Sequence, residues 1–201
     1  MESILHYLTQ AILYILLMVS IFTVAIAIER LMYLNKADSG REFAKRFSLL
    51  IQESPQEAVS LAASSRGLLS ELITKISKYH SQKINLEIFV EVQAGVLIAK
   101  LRKNLYYLSV VVTAAPLLGL LGTIGGMITS FNLLDIKEGQ TFNITGGIAE
   151  ALVATAIGLV VALVALFFHS YFSQKIDTII TELEECLTYA PLIQEVKKNE
   201  T

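Results

Sequence analysis

The sequence predicts an all-α integral membrane protein with three transmembrane helices and long cytoplasmic helical extensions. Three stretches carry no Asp, Glu, Lys or Arg, at 3–28, 104–134 and 151–174. Each exceeds the roughly 20 residues that a helix needs to cross a bilayer. Only 17% of the residues are charged, and the mean hydropathy is +0.58. The few lysines and arginines cluster on alternate segments, as they do in multi-span membrane proteins.

The rest of the composition excludes several classes of function. The net charge of −2 argues against a basic surface for nucleic acid. Cys186 is the single cysteine, so no internal disulfide forms, and no group of His and Cys has the spacing of a metal site. The soluble segments contain no glycine-rich phosphate loop and no nucleophile beside a base. We therefore expect no metal, no cofactor and no enzymatic activity.

Residues 1–10 are interpreted as a periplasmic N-terminus and 11–34 as transmembrane helix 1. Ala11–Ile28 consists mostly of Ile, Leu, Val, Ala and Phe. A cleavable signal peptide is the alternative, but the segment before this run is not basic and no A-x-A cleavage pattern follows it. Glu29 and Arg30 end the run abruptly, which favours a retained span.

Residues 35–103 are predicted to form a cytoplasmic helical insert. The pattern Ser54-Pro55-Gln56-Glu57 is typical of a helix start, with serine as the N-cap and proline in the first turn. Two apolar stripes at helical spacing follow, at Leu68, Leu69, Leu72, Ile73 and Ile76, and then at Ile88, Val92, Val96 and Ala99. An insert of this size, built from stripes, does not indicate an enzyme domain.

Residues 104–134 are predicted to be transmembrane helix 2, which is unusually rich in glycine. Gly119, Gly122 and Gly126 are spaced by three and four residues, so they share one helix face that a neighbouring helix or another copy can approach closely. Pro116 lies upstream, where it either kinks the helix or is tolerated by its neighbours. A helix with this much glycine is poor in water but survives in lipid, where unpaired backbone is too expensive.

A short periplasmic link at 135–143 leads to transmembrane helix 3 at 144–174 and a cytoplasmic helical tail at 175–201. Ala151, Gly158 and Ala162 belong to a stripe of small residues along the third span. We interpret this stripe, like the glycine face of the second span, as a surface for helix packing or for an oligomer interface. Pro191 is predicted to end the helix that continues from the third span into the tail.

The distribution of positive charge predicts the orientation. Of the 16 Lys and Arg residues, 12 lie in 30–103, three follow the third span, and Lys137 alone lies in the short link. Because lysine and arginine accumulate on the cytoplasmic side, the N-terminus is predicted outside and the insert and tail inside.

Three polar residues of the spans are candidates for an ion path. Thr123 and Thr155 lie on the small-residue helices, where their hydroxyls either line a wet path or bond a carbonyl of their own helix. Glu150 is either a functional carboxylate or a group in water at the outer interface. No carboxylate lies near the middle of any span, so these residues form half of a proton site, and a partner helix must supply the other half.

Two long motifs resemble one family. APLLGLLGTIGGMITSF at 115–131 and GGIAEALVATAIGLVVAL at 146–163 are similar to the signature helices of the MotA/TolQ/ExbB proton-channel family, and IERLMYL at 28–34 resembles the exit of its first span. Three spans with one large insert are more similar to the ExbB branch, with TolQ next, than to MotA-like members.

The resemblance implies a homo-pentamer in the bacterial inner membrane. Its pore would enclose a single-span ExbD- or TolR-like partner that brings a membrane aspartate. Proton flow would then energise a TonB-like protein, with Thr123, Thr155 and Glu150 at the family's functional positions. A TolQ-like role in the Tol-Pal system, a non-conducting membrane scaffold and a small solute transporter are the competing hypotheses. The transporter is disfavoured because three spans show no inverted repeat.

Overall fold

The computed structural model describes residues 2–79, 85–134 and 141–198. These residues contain helices and no β-strand, which confirms the predicted all-α class. The helices, in chain order, are α1 (Glu2–Ala37), α2 (Arg41–Glu53), α3 (Pro55–Ser64), α4 (Leu68–Ser77), α5 (Leu86–Arg102), α6 (Leu105–Leu134), α7 (Thr141–Leu187) and α8 (Ala190–Lys198).

Three helical stretches among the described residues are long and apolar enough to cross a membrane. They lie within Gln10–Glu53, Leu86–Phe131 and Gly146–Leu187, with mean hydropathies of 2.8, 1.9 and 2.8. The first range contains the predicted span 11–34, and the other two overlap most of the predicted spans 104–134 and 144–174. The fold is therefore that of an all-α membrane protein with three candidate spans.

Some helix ends differ from the predicted boundaries. Helix α1 already includes residues from Glu2, and α7 begins at Thr141, three residues before the predicted third span. Residues 135–140 of the predicted link lie outside the described residues. Pro191 does not terminate the long helix: α7 ends at Leu187, and Pro191 is the second residue of α8, where proline is tolerated because the first-turn amides have no intrahelical acceptor.

The chain divides into two compact units. The first, which we call the membrane unit, comprises Met1–Glu29 and Asn104–Tyr171; the second, the charged unit, comprises Arg30–Lys103 and Phe172–Thr201. All Lys and Arg residues except Lys137 belong to the charged unit. The division into two units by contacts therefore agrees with the division of the sequence into segments with and without lysine and arginine.

The core of the membrane unit joins α1, α6 and α7. Ile12 and Leu16 of α1 form one buried cluster with residues of α6 and α7, namely Val111, Ala115, Val161, Ala162 and Ala165. Five of these seven side chains are alanine or valine, so the three helices can pack closely. Phe22 of α1 also contacts Tyr107 of α6 edge to face, with ring centroids 6.1 Å apart.

The charged unit has its own helical core. Ser54 and Pro55 occupy the N-cap and first position of α3 as predicted, although the serine side chain makes no cap hydrogen bond. The first predicted stripe is largely buried on α4, at Leu69, Leu72, Ile73 and Ile76. On α5 the buried residues are instead Val90, Leu97 and Leu101, whereas Ile88, Val92 and Val96 of the second stripe are about half exposed.

The turn after α1 is fixed by one carboxylate. Asp38 accepts a hydrogen bond from the Gly40 amide at 2.8 Å, and Gly40 has a φ of +84°, a conformation that glycine adopts without strain. Lys175 of α7 lies 3.7 Å from the same carboxylate and donates to Asn35 at 2.6 Å. These contacts bind the end of α1 to α7 within the charged unit.

Arg30 is the largest fully buried side chain among the described residues. Its guanidinium donates to the carbonyl of Lys100 in the last turn of α5 at 3.5 Å and lies 5.2 Å from the centre of the Tyr33 ring. A cation at a helix C-terminus is favourable because the last carbonyls carry partial negative charge. The arginine of the IERLMYL motif therefore stabilises the end of α5.

Candidate functional site

Helices α6 and α7 touch through glycine. A Cβ atom added to Gly119 would lie 3.0 Å from the Cα of Thr155, one on Gly122 would lie 2.8 Å from the Cβ of Ala154, and one on Gly126 would lie 2.6 Å from the Cβ of Ala151. Separations this short leave no room for a methyl group. The glycines of the second span therefore allow α7 to lie against the backbone of α6.

The third span contributes small residues to the same contact. A Cβ on Gly158 would lie 2.6 Å from the carbonyl oxygen of Ala115, and Ala151 and Ala154 are buried at 1% and 0% exposure. Ala162 lies in the cluster with Ile12 of α1. From the sequence, these two small-residue faces could serve either helix packing or an oligomer interface. In the structure they pack against each other within one chain.

Thr155 makes a hydrogen bond between the two helices. Its Oγ1 donates to the carbonyl oxygen of Gly119 at 2.8 Å. In an α-helix the carbonyl of residue 119 is also the acceptor for the amide of residue 123. Thr155 therefore bonds the same helical turn that begins at Gly119 and carries Thr123.

Thr123 has a different partner. It is 9% exposed, and its Oγ1 donates to the carbonyl of Leu120 in its own helix at 2.7 Å. The sequence left two alternatives for each hydroxyl, a wet path or a bond to its own helix. Thr123 makes the bond to its own helix. Thr155 does neither, because its acceptor belongs to the neighbouring helix. Each hydroxyl keeps lone pairs that can accept a further hydrogen bond.

Glu150 lies on α7, five residues before Thr155, and its side chain is half buried. The next residue, Ala151, packs against Gly126. Glu150 is therefore close in sequence to the contact with α6 without being enclosed by it. No group of three or more His, Cys, Asp and Glu side chains able to hold a metal occurs in the part of the chain that the structure describes.

Pro116 lies inside α6, and the helix continues through it from Leu105 to Leu134. Because proline has no amide hydrogen, it cannot donate to the carbonyl of Val112, four residues earlier. The sequence prediction of a kink at this position stays a prediction. What the structure adds is that α6 is one continuous helix despite the proline.

Ser130 belongs to the same contact and was not among the residues predicted from the sequence. It is 1% exposed, its Oγ donates to the Gly126 carbonyl at 2.9 Å, and a Cβ on Gly147 of α7 would collide with this hydroxyl. The signal in the sequence was a hydroxyl one turn after a glycine of the packing face.

Apolar side chains dominate the outward faces of the two helices, where Leu117, Leu120, Leu152 and Leu163 are 64%, 52%, 62% and 64% exposed.

Comparison with known proteins agrees with this geometry. The model of the MotA/TolQ/ExbB proton channel family matches residues 54–185, a range that includes α6 and the membrane part of α7. This match confirms the resemblance of the two signature helices.

Three relatives illustrate the similarity. The chain is 48% identical over 65 residues to the biopolymer transport protein ExbB-like 3 of Synechocystis sp., a match that covers 31% of each chain. It is 38% identical over 82 residues to the Tol-Pal system protein TolQ of Pseudomonas aeruginosa, covering 40% of this chain and 36% of the relative. It is 34% identical over 119 residues to the biopolymer transport protein ExbB of Aquifex aeolicus, covering 59% of this chain and 72% of the relative.

The chain thus spans about a third of the length of the Synechocystis and Pseudomonas relatives. The family model, in contrast, covers well over half of the chain, from the N-cap of α3 to the last turn of α7. Together with the three candidate spans and the packed signature helices, this match shows that the chain belongs to the MotA/TolQ/ExbB proton channel family.

Proposed function

We propose that this protein is the channel subunit of a proton-driven motor in the bacterial inner membrane. With an ExbD-like partner it would convert the proton motive force into work on the cell envelope, through a TonB-like protein. The observation that carries the proposal is the hydrogen bond from Thr155 to the Gly119 carbonyl. It places the hydroxyls of both signature helices around one turn of α6, in a family whose members are proton channels.

The chain needs a partner to complete such a site. Glu150 is the only Asp or Glu between 141 and 171, and 104–134 contains none. Neither threonine titrates near neutral pH, so neither carries the proton as an acid. A single-span ExbD- or TolR-like protein with a membrane aspartate supplies the missing group. Hydroxyls beside that aspartate lower the cost of a carboxylate at membrane depth.

The proposed assembly is a homo-pentamer around the partner helices, as the resemblance implies. The glycine faces of α6 and α7 are occupied within the chain, so we assign the contacts between copies and with the partner to the outward faces. These faces carry leucines that are more than half exposed, including Leu117 and Leu163. Side chains of this kind are favourable against lipid or against another apolar helix.

Within the family we favour the ExbB branch, and the relatives above carry both the ExbB and the TolQ name. A TolQ-like role in the Tol-Pal envelope system is therefore the second candidate. The proposed orientation has the N-terminus in the periplasm and the C-terminus in the cytoplasm, because the charged unit holds all Lys and Arg residues except Lys137.

Proton flux distinguishes a channel from a non-conducting scaffold. The full chain is reconstituted in vesicles with its single-span partner, and the decay of an imposed pH gradient is measured. We expect flux only when both proteins are present. The double variant Thr123→Val with Thr155→Val should assemble normally and conduct almost nothing, because it keeps the side-chain shape and removes both hydroxyls. A complex that assembles but never dissipates the gradient would favour the scaffold.

A further inference from the structure

Helix α6 carries a second polar face, which the site described above does not use. Tyr106, Ser109 and Thr113 are spaced by three and four residues, so they lie on one side of the helix. All three side chains are exposed, Tyr106 at 74%. We call this surface the hydroxyl face.

The hydroxyl face points away from both neighbouring helices of the membrane unit. The residues that α6 buries in this half are Leu108, Val111 and Ala115, at 0%, 7% and 0% exposure. At 100° per residue, Ser109 and Thr113 lie on the side of the helix roughly opposite Ala115. Neither α1 nor α7 covers them, so they are open to a contact from outside the described part of the membrane unit.

The chemistry of this face favours water as that contact. Within the described part of the chain, the Ser109 hydroxyl makes no hydrogen bond, and such a group is costly to leave in hydrocarbon. Thr113 donates to the Val110 carbonyl at 3.0 Å but still has lone pairs to offer. One turn further along, Pro116 provides no amide for the Val112 carbonyl, so that acceptor is available beside the same face.

The spacing also suits a chain of water molecules. Along the helix axis, Tyr106 and Ser109 are about 4.5 Å apart and Ser109 and Thr113 about 6 Å. One water that bonds a hydroxyl on each side bridges about this distance. The face lies at the Asn104 end of α6 and extends from Tyr106 to Thr113, over about 10 Å along the helix axis.

We propose that the hydroxyl face lines a water-filled path along the cytoplasmic half of α6, up to the level of Pro116. The inference rests on the proposed proton-channel function and on the proposed orientation. The path is the inner access route for protons, in which the side chains only accept and donate hydrogen bonds to water. Water itself passes the proton, and no residue of the face changes its charge.

Cysteine labelling tests whether the face is wet, independently of transport. Ser109→Cys and Thr113→Cys are compared with Leu163→Cys, in the full chain in its native membrane, using a charged methanethiosulfonate reagent. Leu163 is 64% exposed on α7, and the packing of Ala115 against Gly158 places it at the same depth. The native Cys186 is buried, and burial together with Glu185 and Glu182 raises its pKa to about 12, so it should not react near neutral pH.

Thiols on a water-lined face should react at least about tenfold faster than the thiol at 163, because only the thiolate is the nucleophile and it forms in water. Equal, slow reaction at all three positions would mean that the face contacts lipid or protein, and would overturn the proposal. Reaction of the unsubstituted protein would be subtracted as the contribution of Cys186.

Proton flux tests whether the wet face is the path. Ser109→Ala combined with Thr113→Val should lower the flux of the reconstituted complex severalfold. The control Thr129→Val, which removes a hydroxyl that bonds the Gly125 carbonyl of the same helix, should not. Fast labelling with unchanged flux in the double variant would show that protons use another route. If the wild-type complex carries no flux, the proposed function fails, while the labelling rates still decide whether the face is wet.

Discussion

Thr155 of α7 donates its hydroxyl hydrogen to the backbone carbonyl of Gly119 in α6, at 2.8 Å. The bond is possible because Gly119 has no side chain: a Cβ there would lie 3.0 Å from the Cα of Thr155. Glycine and threonine, one in each signature helix, thus form a polar contact between the two helices.

Removal of the Thr155 hydroxyl should weaken the packing of α6 on α7. Thr155→Val keeps the shape and loses the bond to Gly119, so we expect a loss of about 1 kcal/mol in the free energy of unfolding. Thr123→Val is the matched control, because its hydroxyl bonds the Leu120 carbonyl of its own helix. Thermal unfolding in detergent measures both. A larger loss for Thr123→Val than for Thr155→Val would contradict the assignment of the interhelical bond.

A methyl group at Gly158 should be more damaging than one at an open glycine. In Gly158→Ala the new Cβ would lie 2.6 Å from the backbone oxygen of Ala115, whereas nothing lies within 4 Å of a Cβ on Gly146. The helices must separate in the first variant, which costs roughly 1–3 kcal/mol as an overpacked core does. Unfolding temperatures of Gly158→Ala and Gly146→Ala provide the comparison. Equal temperatures would mean that α7 is not held this close to α6.

Glu150 is predicted to support a polar path near the outer mouth of the channel. Glu150→Ala should abolish proton-driven activity while leaving expression and the helix packing intact, because the side chain is half buried and lies beside the contact rather than in it. Flux in vesicles, with assembly checked by native mass spectrometry, measures the effect. Wild-type flux in this variant would assign Glu150 to water at the membrane surface instead.

Glu182 in the charged unit should make stability depend on pH. Burial raises the pKa of this carboxyl above its ordinary 4.5; the nearby carboxylates of Asp38 and Glu185 add to the shift, and Arg41 opposes it. The folded state therefore holds the proton to a higher pH than the unfolded chain does. The resulting stabilisation is full below pH 4.5 and is lost as the pH rises through the folded pKa.

Glu182→Gln should remove this part of the pH dependence and raise the unfolding temperature at pH 7, because the amide mimics the protonated acid. Glu184→Gln, at an exposed position of the same helix, is the control and should change little. Thermal unfolding between pH 4 and pH 8 tests both variants. An unchanged profile for Glu182→Gln would show that its burial does not affect folding.

The orientation of the chain is predicted from charge alone. A reporter enzyme that is active only in the cytoplasm, fused after Thr201, should be active, and one that is active only in the periplasm should not. The reason is that cytoplasmic segments retain lysine and arginine, which are costly to translocate. Activity of the periplasmic reporter at this position would reverse the proposed topology.

The sequence by itself determined the class of the protein and the faces of its helices. Three charge-free stretches predict three spans, because any buried charge in hydrocarbon is expensive. All Lys and Arg residues except Lys137 lie in two segments of the sequence, and in the structure these segments belong to one compact unit. The glycines at 119, 122 and 126 identify the face of α6 that a neighbour approaches, since residues three and four apart share one side of a helix.

Only the tertiary structure decided which neighbour meets each face. Periodicity predicts that Gly119 and Thr155 lie on close-packing surfaces, but not that they contact each other in one chain, because that contact joins residues 36 positions apart. The same limit explains α5: the sequence pattern indicates a stripe with Ile88 and Val92, whereas packing buries Val90, Leu97 and Leu101. Arg30, which the sequence presents as one of many cations, is buried because a helix end and an aromatic ring surround it.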